Sequence, residues 1–243
     1  MDIESVRPLL KVVEVAATSQ QSIVKIGLSV GLIPPAAAAC IVLLVGRFEQ
    51  FLKDQGNRAL EHYGMATPPI HRINLPHEMQ LGVLVGNLNS ALRKADHGVP
   101  IPAVTRIASL DSVANRIADG EVWGDNAIDT KSNPNSAVVK EIMTLAGVAG
   151  PWAKIEQEFQ PIWGAIAGSN PGFKAIPSAQ QELESWITHR HSIAHSNALP
   201  TVGPHELSEM MEFFSSLGEA IDNVLQSTVS AAISGHGSAM SAW

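Results

Sequence analysis

A chain of 243 residues is long enough for one large domain or two small ones, and its formal net charge of −7 argues against a protein that coats nucleic acid indiscriminately. Hydrophobic residues make up 45% of it and charged residues only 16%, so much of the surface must be neutral or apolar, and part of that is expected to be an oligomer interface. The single cysteine, Cys40, excludes an internal disulfide and a cysteine-rich metal site and points to a reducing compartment, the cytoplasm. The opening MDIESVRPLL starts acidic and lacks a basic n-region with a small-residue cleavage site, so no signal peptide is expected.

In chain order, residues 3–18 predict a first helix, with Val6, Leu9, Leu10, Val13 and Ala17 as its apolar stripe, and residues 20–31 a short second one. Residues 26–46 carry no charge and reach the length of a membrane span, but Pro34-Pro35 break them near the centre. Those prolines suit the first turn of a long helix running to about residue 62, where a missing amide costs nothing. Arg47, Glu49, Lys53 and Asp54 lie further along that same helix, so a helix buried in a bundle is expected rather than a span. Residues 64–76, with Pro68, Pro69 and Pro76, form a connection. Helices are then expected over 76–96, with Leu81, Leu84, Val85, Leu88 and Leu92 at helical spacing, and over 103–119, through Val104, Ile107, Leu110, Val113 and Ile117. Residues 120–135 are polar and turn-rich, a surface excursion. Further helices are expected over 136–146, from Pro151 through Ile166, over 181–197 with Ser178 as N-cap, and over 204–233. No strand series, repeat or glycine-rich phosphate loop interrupts this order. The reading is an all-helical single domain over 1–233 with a flexible tail over 234–243.

The chemistry concentrates in QELESWITHRHSIAHSN, residues 181–197. Leu183, Trp186, Ile187 and Ala194 share one face of a helix, and Arg190, two turns after Leu183, falls on that face, where a charge needs a partner or a cleft. His191 and His195 lie one above the other at its edge, roughly 40° apart, with His195 about 140° from Arg190. A neutral imidazole that moves a proton and a guanidinium that holds phosphoryl oxygens are the two tools that attack on a phosphodiester needs. Blander roles stand beside these. Arg190 can serve as a structural ion pair with Glu49 or Glu206, and His195 as a cation at a helix C-terminus. His191 and His195 also have the spacing of two zinc ligands, but Ser192 stands where a zinc protease would want glutamate, and His189 points elsewhere.

Arg190, the polar His191, three more residues and then His195 resemble the R-[N/D/H]-x-x-x-H signature of the HEPN superfamily. These are all-helical nucleotide-binding and endoribonuclease domains of prokaryotic defence and RNA-processing systems. IVLLVGRFEQFL, residues 41–52, is similar to the family's early core helix with its phenylalanine-glutamate step. Asn133-Pro134-Asn135-Ser136 to Pro151-Trp152 resembles an insert of the RiboL-PSP-like branch. The resemblance implies a HEPN-type bundle with extra helices and a homodimer in which two Arg190/His195 sets meet. It implies a metal-independent, cofactor-free endoribonuclease leaving 2′,3′-cyclic phosphates, with Arg190, His195 and His191 as catalytic residues and Glu49, Ser192 and Asn197 in support. RNA would be the substrate, not DNA or a membrane, and a cognate antitoxin or defence-system protein the partner. The alternative implied by the same family is a non-catalytic module that binds nucleotides or a partner protein.

Overall fold

A computed structural model describes residues 33–96, 98–123, 128, 133–196, 202–240 and 242–243. The two helices expected over 3–18 and 20–31 lie outside these residues, as do Asn197 and the connection after it. The described elements run α1 (Ile33–Met65), α2 (His77–Ala91), β1 (Ala95–Asp96), β2 (Val99–Pro100), α3 (Ala103–Ala118), α4 (Ser136–Leu145), α5 (Pro151–Ser169), α6 (Ala179–Ser196) and α7 (Pro204–Gly235). The all-α class is therefore the observed one. It is interrupted by the two-residue antiparallel hairpin β1–β2, which pairs Ala95 with Pro100 and Asp96 with Val99 at the end of the helix expected to reach residue 96.

Helix α1 begins at the diproline as expected and continues to Met65 without a break. By length and composition it could cross a membrane, but half of its most apolar window is buried inside the protein. Ala37, Ile41, Leu44 and Phe48 are all fully buried, at helical spacing along one stripe.

The described residues cluster into two compact units. The first takes α1 through Phe51, the start of α4, α5 from Trp152, α6, and α7 through Ile221; the second takes the rest. The first unit is built around aromatic rings. Phe48 meets Phe214 at 5.1 Å between ring centres, Phe213 stands edge-on to Phe159 at 5.7 Å, and Phe159 continues into a stack with Trp163 and Phe173. Such rings bury large areas and prefer tilted or offset contacts, so they specify helix positions as well as stabilise them.

Helix α6 is tied into this unit at its N-terminal half. Leu183, Trp186 and Ile187 are buried. Ser178 is the expected N-cap, its hydroxyl accepting from the Gln181 amide at 3.3 Å. The Glu156 carboxylate from α5 adds a second cap that the sequence does not announce, accepting from the Gln180 amide and from the Ser178 hydroxyl, both at 3.1 Å. An acid at a helix N-terminus satisfies free amides and complements the helix dipole. Glu184 in turn accepts from the Ser136 amide at 2.8 Å, and Trp152 donates to the Ser136 carbonyl at 3.0 Å, so α6 also holds the start of α4.

In the second unit the inward faces differ from the expected ones. Met79, Val83, Asn87 and Ala91 are the buried residues of α2, whereas Leu81, Val85, Leu88 and Leu92 lie exposed on its other side. No residue of α3 is buried. The residues after α7, for which the sequence predicts a flexible tail, carry anchoring contacts. Thr67 and Ala239 exchange backbone hydrogen bonds at 2.9 and 2.8 Å. The Trp243 indole stacks on His62 at 4.7 Å and donates to Asp222 at 3.0 Å. Burial first, and the Arg58 guanidinium second, push the His62 pKa below its ordinary 6.5.

These contacts carry two testable outcomes. Glu156→Ala should cost about 1 kcal/mol, the usual value of a helix cap, read as a lower midpoint in urea unfolding. Because His62 is held neutral, its contribution is fully present above pH 6.5 and is lost as pH falls below that value towards its depressed pKa. Thermal melts between pH 7.5 and pH 5 should therefore show a shallower loss of stability in His62→Phe, which keeps a ring against Trp243.

Candidate functional site

Buried residues on α6 stop at Ile187, so the helix leaves its packing just before the residues that carry chemistry. Across the next two turns Thr188, His189, His191, Ser192, Ala194 and His195 are exposed, and Arg190 and Ile193 are half-buried. Ala194, expected on the apolar face, is thus in solvent. The half-burial of Arg190 fits its place in line with Leu183.

The His191 and His195 rings stand 4.2 Å apart at 45° to one another. This is the adjacency that i, i+4 spacing predicts. His189 is separate from them: its Nδ1 lies 3.0 Å from the Ser185 carbonyl and its ring tilts against Trp186 at 5.4 Å. Ser192 donates to the Thr188 carbonyl at 3.0 Å, turning its hydroxyl back along the helix. Among the described residues no carboxylate forms an ion pair with Arg190. Glu206, one of the two acids considered for that role, accepts from the Gly203 amide at 2.8 Å. Glu49, the other, is half-buried on α1. Among the described residues there is also no group of three His, Cys, Asp or Glu placed to hold a metal ion.

One feature of this helix is invisible to pattern reading. The Trp186 Nε1–H is buried with no hydrogen-bond partner among the described residues. Periodicity identifies Trp186 as a core residue but does not register that its polar edge goes unsatisfied one turn before Arg190.

Of Arg47, Arg58, Arg72, Arg93, Lys94, Arg106 and Arg116, only Arg47 belongs to the same unit as Arg190. Arg116 is held by Glu121 at 2.7 Å and lies over the Trp123 ring at 4.6 Å, while Arg72 donates to the Ile117 carbonyl at 2.9 Å. A pocket of about 550 Å³ in the second unit is lined by His71, Arg116, Glu121 and Trp123 among others and includes no residue of the motif.

The family model described as RiboL-PSP-HEPN matches residues 18–227. Neither the curated proteins nor the solved structures contain a match to the chain. The match covers most of the sequence and spans the α6 motif together with the helices that hold it, so the chain belongs to the RiboL-PSP-HEPN family.

Proposed function

We propose that the protein is a metal-independent endoribonuclease whose working groups are Arg190 and His195, assisted by His191. The observation that carries this reading is the exposed C-terminal end of α6. It presents a guanidinium with no carboxylate paired to it among the described residues and two adjacent imidazoles, in a chain of a family whose domains are ribonucleases or nucleotide binders. A buried or ion-paired Arg190 would have argued for a structural role.

In this reading a neutral imidazole, His195 or its copy in a second chain, takes the proton from a ribose 2′-hydroxyl. The 2′-oxygen attacks the adjacent phosphorus, and the bond from phosphorus to the 5′-oxygen breaks. A second imidazole, from His191 or the other chain, returns a proton to that leaving oxygen. The Arg190 guanidinium holds the non-bridging oxygens as charge builds on them. The products are a 2′,3′-cyclic phosphate and a 5′-hydroxyl, and DNA, which lacks the 2′-hydroxyl, is not cut. Because each α6 offers one such set, a homodimer that brings two sets together supplies the acid and the base at once. Glu49, Ser192 and Asn197 support the set, and the protein acts in the cytoplasm in a defence or toxin system with a cognate inhibitor.

A second reading is a non-catalytic module that grips a phosphate or a partner through Arg190. The net charge of −7 favours it, since proteins that track nucleic acid backbones gather positive charge.

Total RNA incubated with the protein in EDTA separates the two. Cleavage should proceed in the wild type and fall by at least about 100-fold in both Arg190→Ala and His195→Ala, the range for loss of a general base or a charge-stabilising donor. Persistence of cutting in His195→Ala, or a need for a divalent ion, contradicts the assigned roles; nucleotide binding without cutting supports the second reading. Arg190→Lys should recover less than about a tenth of the wild-type rate, because an ammonium cannot reproduce the two-pronged grip of a guanidinium. Initial rates on a short single-stranded RNA check it.

A further inference from the structure

Helix α2 is apolar on two opposite sides, and only one of them is used. Met79, Val83, Asn87 and Ala91 face inwards, while Leu81, Val85, Leu88 and Leu92 are 61%, 53%, 36% and 52% exposed. No charged side chain occurs from Met79 to Leu92. A helix face left to water normally carries Lys and Glu, so a bare stripe of three leucines and a valine is unfinished.

The spacing of the stripe says what finishes it. Steps of four, three and four residues are the a/d pattern by which one helix seats its side chains between those of another. The ends of the helix say which helix. Exposed Glu78 lies one turn before Leu81, and exposed Arg93 and Lys94 come directly after Leu92. We infer that the exposed stripe of α2 pairs, antiparallel, with the same stripe of a second copy of this chain.

A two-fold axis between Gly86 and Asn87 sets Leu81 against Leu92 and Val85 against Leu88, so each half of the stripe complements the other. It also brings Glu78 of each copy beside the basic end of the other, where a parallel pairing would put like charges together. The flanking positions Gly82, Leu84 and Asn89 carry no charge to repel a neighbour. Val99, Val104 and Ile107 on β2 and α3 are 67%, 73% and 58% exposed. Together these seven residues leave on the order of 700 Å² in water, close to one partner's share of a standard interface. The contact is isologous, the same stripe on both copies. It stands apart from any pairing of α6, and its test uses no residue of the Arg190/His195 set.

Val85→Cys and Leu88→Cys variants of the full chain, one tagged, are mixed and oxidised. Native Cys40 is buried, and burial raises its thiol pKa, so it does not compete. The antiparallel register predicts that the mixed disulfide exceeds either same-residue disulfide by at least fivefold, and that Gln226→Cys, exposed on α7, gives neither. Leu88→Glu should weaken association at least tenfold in sedimentation while leaving helix content unchanged, and Glu78→Lys combined with Lys94→Glu should associate better than Glu78→Lys alone. Same-residue disulfides in excess overturn the antiparallel register. A wild-type chain that stays monomeric at about 100 µM, or partitions onto phosphatidylcholine vesicles through this face, gives the stripe to another helix or to lipid and overturns the self-pairing.

Discussion

The anchoring of one half of α6 is the constraint on which the candidate site depends. Leu183, Trp186 and Ile187 are buried, and Ser178 with Glu156 caps the first turn, so the helix starts in a defined place and direction. An α-helix is stiff over two turns, so the residues beyond Ile187 take their direction from this anchored half. Arg190 and Ile193 are half-buried, while His191 and His195 are exposed. The division explains how polar groups stand next to an aromatic core without being buried in it: the fully buried residues of the helix stop at Ile187.

Much of this was legible because the relevant signals are local. Pro34-Pro35 can only open a helix, Ser178 precedes an apolar-periodic run, and Arg190-x4-His195 is a contiguous string, so each could be read without knowing what packs against it. Periodicity gives faces but not their partners. On α2 the residues Leu81, Val85, Leu88 and Leu92 repeat as regularly as Met79, Val83, Asn87 and Ala91, and hydrophobicity ranks the exposed set above the buried one, which includes an asparagine. That asparagine is tolerated because its amide donates to the Val83 carbonyl at 2.8 Å within its own helix. The Glu156 cap and the docking of Trp243 on His62 were hidden for another reason: their partners lie 24 and far more residues away in sequence, beyond any local pattern.

The charge balance separates positioning from affinity. With a net charge of −7, the proposed ribonuclease cannot rely on its overall charge to hold a long substrate. What it needs is one guanidinium and a pair of proton carriers held in register, with specificity left to shape or to partners. The arrangement on α6 is of that kind. Its central claim is that a ribose 2′-hydroxyl is the nucleophile and that only protein side chains move the protons. The most direct measurement uses a DNA oligonucleotide containing a single ribonucleotide, incubated with the protein in EDTA, with mass analysis of the ends. The account predicts one cut, immediately 3′ of the ribose, with a cyclic phosphate on one fragment and a hydroxyl on the other; cutting within the DNA, or a plain phosphate left by direct attack of water, would contradict it.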